Sequence, residues 1–199
     1  MKKLLYIIIA FSIVMIGCAE KSKSTHQKKA VIPADSLVKA YDDEMFSLLL
    51  PQGWTYETDT CETGNIRVKQ ILDSLNITSG IVEFYSPYNS FKIRLVKGVS
   101  RWMAPNNPVV DWAGLSQMRA DEDSTCIYIS EVADSILIDG NEACNYWAAY
   151  DNDGDTIVQN QYIVIKNKYD LYYINGVYGY GDKVSSGLFH KILSTIKLK

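Results

Sequence analysis

Apolar and polar positions change their spacing several times along this chain, and each change marks an element. Residues 4–16 form an uncharged apolar run, with Lys2 and Lys3 before it and the polar stretch Ala19-Glu20-Lys21-Ser22-Lys23 directly after it. This is the layout of a secretory signal, and the run is shorter than the roughly 18 apolar residues a membrane-spanning helix needs. Residues 19–34 are polar and lysine-rich without apolar periodicity, as in a flexible tether.

Past the tether the period shortens to two. Residues 37–41 and 45–50 flank Asp42-Asp43-Glu44 and predict a short hairpin ending at Pro51, and Gln52-Gly53 turns the chain into a further extended piece at 54–57. Val68, Ile71, Leu72 and Leu75 fall at i, i+3, i+4 and i+7, which predicts a short amphipathic helix. Residues 81–85 and 91–96 are rich in β-branched and aromatic side chains and predict a second hairpin across Ser86-Pro87-Tyr88-Asn89-Ser90. Asn107 as N-cap and Pro108 at the first helical position predict a helix over 109–120. The remainder predicts strands at 125–131, 134–138, 142–150, 156–166 and 170–178. They are joined by turns at Asp139-Gly140-Asn141, Asn152-Asp153-Gly154 and Asn167-Lys168. A last helix over 185–196 carries Leu188, Phe189, Ile192, Leu193 and Ile196 on one stripe. Consecutive strands with tight turns imply an antiparallel meander packed with helices, an α+β fold of two or three layers.

Charge then narrows the partners. Of 20 Lys+Arg and 23 Asp+Glu, residues 36–199 carry 14 and 21, a net −7. An acidic domain lacks the clustered cations that nucleic-acid phosphates require. The three parts are a signal peptide (1–17), a lipidated cysteine with its tether (18–35) and a single α+β domain (36–199), whose length suits one core. Met15-Ile16-Gly17-Cys18 resembles a lipobox, with Met15 where leucine is more usual, which implies cleavage before Cys18 and acylation of its sulfur. Each buried methylene contributes about 0.8 kcal/mol, so several acyl chains anchor stably where one binds marginally. The expected location is the cell envelope of a bacterium, facing the periplasm or the cell surface. Cys61, Cys126 and Cys144 remain, so at most one disulfide forms among them, and Cys144 on its apolar strand reads as a buried free thiol.

The segment FSLLLPQGW, Phe46 to Trp54, followed by a hairpin, a helix, an antiparallel meander and a final helix reading LFHKILSTIK, resembles the PsbP/Mog1-like family over residues 37–199. The resemblance implies an α/β/α sandwich. It does not imply one activity, since the family includes extrinsic subunits of photosynthetic complexes and a small-GTPase-binding protein, and fold alone does not give function. No family site residue maps onto this chain.

Candidate chemistry is sparse. The two histidines are His26 in the tether and His190 on the last helix, without a nucleophile motif beside the latter, and no CxxC or HxxxH spacing offers zinc ligands. Asp151, Asp153 and Asp155 alternate as in a calcium loop, but Thr156 stands where an EF-hand needs glycine and Tyr162 where it needs glutamate; an Asp-Gly hairpin turn explains the same residues. The chain has 14 tyrosines and 4 tryptophans, and Tyr172, Tyr173, Tyr178 and Tyr180 are candidate binding aromatics, although alternate ones would equally fill a sheet core. Asp-Ser/Thr followed by an aliphatic residue or Thr recurs at Ser36, Ser74, Ser124, Ser135 and Thr156. That pattern resembles an O-glycosylation acceptor of exported proteins in one group of Gram-negative bacteria; Asp-Ser and Asp-Thr are also good caps and turns. The expectation is a non-enzymatic, cofactor-free accessory domain, lipid-anchored to a membrane and binding another envelope protein or a glycan. The alternatives are a carboxylate-based, glycosidase-like hydrolase with two facing acids and a structural subunit of an envelope complex.

Overall fold

A computed structural model describes residues 37–59, 80–99, 109–167 and 170–199. The predicted helix at Val68 to Leu75, the N-cap Asn107 and the signal and tether segments lie outside them.

The chain opens on β1 (Leu37–Asp42) and β2 (Phe46–Pro51), paired antiparallel. The reversal is fixed by Asp43, whose Oδ1 accepts the backbone N–H groups of Met45 at 2.7 Å and Phe46 at 2.9 Å. Phe46, Leu48 and Leu50 point inward with the period of two that a half-buried strand requires. A terminal strand, β11 (Lys197–Leu198), takes the other edge of β2 and completes a three-stranded sheet.

The main sheet has eight antiparallel strands. Its order runs β3 (Thr55–Asp59), β4 (Gly80–Tyr85), β5 (Lys92–Val99), β10 (Asp170–Gly179), β9 (Asp155–Lys166), β8 (Asn141–Asn152) and β6 (Cys126–Ile129), with β7 (Ala133–Ile138) also on β8. The meander expectation holds from β7 through β8 and β9 to β10 and fails between β6 and β7. β6 and β7 do not pair with each other; β6 runs along Ala148 to Tyr150 of β8 and β7 along Asn141 to Asn145. At 12 residues β8 is long enough to hold both end to end. Ser130 bridges the gap, its Oγ accepting Trp147 N–H at 2.9 Å and its own N–H reaching the Trp147 carbonyl at 2.9 Å.

Alternation along the central strands splits the core in two. Tyr162 and Val164 of β9 and Tyr172 and Ile174 of β10 join the β1–β2 layer and the C-terminal helix in one cluster. Ile163 of β9, Leu171 of β10 and Cys144, Tyr146, Ala148 and Tyr150 of β8 form the other with helix α1 (Val109–Asp121). The two described helices therefore cover opposite faces of the sheet. Helix α1 offers Val109, Trp112, Ala113 and Ala120, and its Ser116 hydroxyl lies 2.6 Å from the Tyr146 hydroxyl.

Helix α2 (Lys183–Leu193) starts earlier and ends earlier than its apolar stripe implies. Asp182 is the N-cap, its Oδ1 accepting Val184 and Ser185 N–H at 3.1 Å and its Oδ2 accepting the Ser185 hydroxyl at 2.7 Å. At the far end Ser194 and Thr195 donate their hydroxyls to the Lys191 and Ile192 carbonyls, both at 2.7 Å, and stop the helix before Ile196. Phe189 of α2 sits on Gly176 of β10, where an added Cβ would come within 2.8 Å of the ring. Among the described residues no helix is long and apolar enough to cross a membrane.

Candidate functional site

Helix α2 does not reach the β8 end of its face of the sheet. The space left beside it is an open groove of about 460 Å³. Its floor is Val158 and Asn160 of β9 with Tyr178 of β10, one wall is Trp147 of β8, and the other is the Tyr180-to-Lys183 turn with Ser186, Gly187 and His190 of α2. Helical spacing sets that second wall: Asp182, Ser186 and His190 recur every four residues and share a face. Gly187 borders open space, since a Cβ there would meet nothing within 4 Å.

The polar groups of the floor form one chain. Asn145 Nδ2 donates to Asn160 Oδ1 at 2.7 Å, Asn160 Nδ2 to the Tyr178 hydroxyl at 3.1 Å, and the Tyr178 hydroxyl to Ser186 Oγ at 3.4 Å. Asn160 is only 8% exposed, a depth at which an unpaired amide would be costly. Beside it the Tyr162 hydroxyl lies 3.4 Å from His190 Nδ1. Burial, reinforced by the nearby Tyr178 hydroxyl, raises the Tyr162 phenol above its ordinary range, so it stays neutral there. The rings are less enclosed. Tyr128 stacks on Trp147 with centroids 4.6 Å apart, and Tyr128 and Tyr180 are 51% and 65% exposed.

Among the described residues the accessible lining is mostly apolar, from Trp147, Val158, Tyr178 and Tyr180, with the mutually bonded amide and hydroxyl groups beneath it and Asp182 and Lys183 on the α2 wall. Its one carboxylate, Asp182, is occupied with the cap of α2. Asp182, Ser186 and His190 share a wall, yet their hydrogen bonds lead to the α2 backbone, to Tyr178 and to Tyr162 respectively.

The four candidate tyrosines separate. Tyr172 is fully buried on the α2 face, its hydroxyl donating to the Lys199 carbonyl at 2.6 Å, while Tyr173 packs on the opposite face beside the α1 cluster. Only Tyr178 and Tyr180 reach the groove. Asp151, Asp153 and Asp155 stand on the β8–β9 turn, where Asp153 and Gly154 both take positive φ, at 53° and 94°, and Asp151 Oδ1 accepts Gly154 N–H at 3.1 Å. The hairpin uses the carboxylate for its own backbone, and the described residues contain no group of three or more His, Cys, Asp or Glu placed to hold a metal. Ser124 is exposed on a turn, Ser135 is exposed at a positive φ of 60° in a bulge of β7, and Thr156 is half-buried in β9. Cys18, Cys61, Ser36 and Ser74 lie outside the described residues; Cys126 and Cys144 are free thiols.

Sequence reasoning missed Trp147, Asn160 and Ser186 as neighbours, because they come from three elements. The available signal was Asn160, a polar residue at a core-facing position of β9.

No protein-family model and no curated protein matches the chain. Among solved structures, the chain is similar to a protein of unknown function from Pseudomonas aeruginosa, at 11% identity over 81% of this chain and 96% of that one, with a TM-score of 0.49. It is also similar to the cyanobacterial PsbP of Synechocystis, at 12% identity over 81% of this chain and 92% of that one, with a TM-score of 0.46. At such scores the likeness assigns neither fold family nor site, and the architecture rests on the strand register itself.

Proposed function

We propose that this protein is a lipid-anchored lipoprotein of the bacterial cell envelope whose domain, a PsbP/Mog1-like α/β/α sandwich, binds a ligand without transforming it. The observation that carries the reading is the groove beside α2, where the exposed Tyr180 ring and the half-buried Trp147 ring flank a hydrogen-bonded floor that ends on the Ser186 hydroxyl. A hydrolase built on carboxylates would need two acids facing each other across the cleft, and among the described residues the groove lining offers one carboxylate, Asp182. A serine nucleophile would need its imidazole as hydrogen-bond partner; Ser186 instead accepts from Tyr178. The anchor rests on Cys18 after the apolar run, and the tether gives the domain reach toward the periplasm or the outer surface.

Two measurements test this. With an alkyne-tagged palmitate fed to expressing cells, the wild-type chain is labelled and sediments with membranes, while Cys18→Ala is unlabelled and does not; label retained by the variant overturns the anchor. The mature lipoprotein, immobilised and exposed to cell-envelope extract, retains a component that Gly187→Phe releases by filling the groove. Retention indifferent to that substitution overturns the groove as the binding site.

A further inference from the structure

We infer that the groove takes a neutral oligosaccharide, with Tyr180 and Trp147 as the aromatic walls on which a sugar face packs and the Ser186 hydroxyl, at the end of the hydrogen-bond chain from Asn145, as its polar contact. This deepens the binding reading above and rests on it.

A sugar ring presents an apolar C–H face and a rim of hydroxyls that both donate and accept. Its binding site therefore needs flat, exposed aromatic rings beside groups that can do both. The groove has each part in place. Tyr180 stands 65% exposed at one side, and the half-buried Trp147 ring lines the other, backed by Tyr128, which lies outside the lining. Between them the hydrogen-bond chain runs in one direction, from Asn145 through Asn160 and Tyr178 to Ser186, which receives the last proton. The Ser186 hydroxyl is left with its own proton to donate and a lone pair to accept. A chain polarised this way strengthens the terminal donor. The volume, about 460 Å³, falls in the ~300–1,000 Å³ range of ligand clefts, and the groove opens to solvent.

Other ligand classes fit less well. An anion would need clustered cations, and Lys183 stands beside Asp182 in a domain of net −7. A divalent cation would need several oxygen ligands, and the described residues assemble no such group. A peptide adding as a strand would need the free edge of β8 beside the groove, which β6 and β7 already occupy. An acyl chain would cover the Ser186 hydroxyl and leave its proton without a partner.

The test uses the mature lipoprotein in a detergent without a sugar headgroup and a panel of neutral oligosaccharides covering α- and β-linked hexoses and N-acetylhexosamines, read by saturation-transfer NMR and tryptophan fluorescence. At least one saccharide binds, Tyr180→Ala weakens it by about tenfold, and Gly187→Phe abolishes it while thermal melting shows both variants folded. No binding across the panel, or binding that survives both substitutions, overturns the inference. If the panel fails while Gly187→Phe still releases a protein component in the extract experiment, the saccharide falls and the binding groove stands; if that release also fails, both fall.

Discussion

Gly176 lies in β10 under the Phe189 ring, and its lack of a side chain is what lets α2 approach the sheet. A Cβ would come within 2.9 Å of three ring atoms of a fully buried phenylalanine, so Gly176→Ala must displace the helix or twist the ring. Overpacking of this kind costs about 1–3 kcal/mol, and guanidinium denaturation of the variant is expected to show that loss as a lowered midpoint. A second residue-scale expectation concerns Cys144. Burial pushes its thiol up to about 12, and its sulfur sits 3.5 Å from the Val109 carbonyl behind α1. Because the thiolate is the reactive form, iodoacetamide at pH 8 followed by peptide mapping leaves Cys144 unmodified in the native protein and modified after denaturation. Modification of the native protein would show that α1 opens readily. The tyrosines show where reading by residue type ends. Period-two alternation shows that Tyr172 and Tyr173 face opposite sides, but which side each faces depends on the layers that cover them.

Among the elements, α2 and β11 depend most visibly on a few polar contacts. Asp182 satisfies two backbone N–H groups and the Ser185 hydroxyl at the head of α2. Asp182→Ala is expected to cost about 1 kcal/mol, with faster hydrogen exchange at Val184 and Ser185, and to loosen the groove wall that this turn forms. The two-residue strand β11 is held by Asp139, whose Oδ1 accepts the Lys197 ammonium and whose Oδ2 accepts the Leu198 N–H, each at 2.9 Å. The bond from Lys197 foremost, with the Leu198 amide, holds the Asp139 carboxyl below its ordinary range. A depressed native pKa stabilises the fold above the unfolded carboxyl value and loses that contribution as pH falls through the native one. The stability difference between wild type and Asp139→Asn, measured by urea denaturation, is therefore largest near neutral pH and shrinks below about pH 4. An unchanged difference at pH 3 would remove the ionised contact as its cause. Element existence was legible wherever the apolar period was long, as in β8, β9, β10 and α2. The pairing of β6 was not, because a strand's neighbours depend on which edges are free, and β8 offers one long edge that β6 can share with β7.

At the scale of the molecule, β9 and β10 carry both cores on their two faces, so neither cluster can come apart without exposing the back of the other. Trp54 reports on the α2 side and Trp112 on the α1 side. In protein grown with 5-fluorotryptophan, their two ¹⁹F resonances are expected to lose native intensity at the same urea concentration; separated midpoints would mean two independently folding layers. The sequence by itself determined the strands, the two described helices, the turns, the acidity of the domain and the position of the cysteine expected to carry lipid, because each follows from local spacing, turn chemistry or charge within a few residues. Only the tertiary structure decided that the helices take opposite faces, that β6 and β7 share an edge, and that Trp147, Asn160, Tyr178, Tyr180 and Ser186 meet around one groove. Those residues lie up to 39 positions apart in the chain, and what joins them is the register of long-range strand pairs and the incomplete cover that an 11-residue helix gives to a broad sheet.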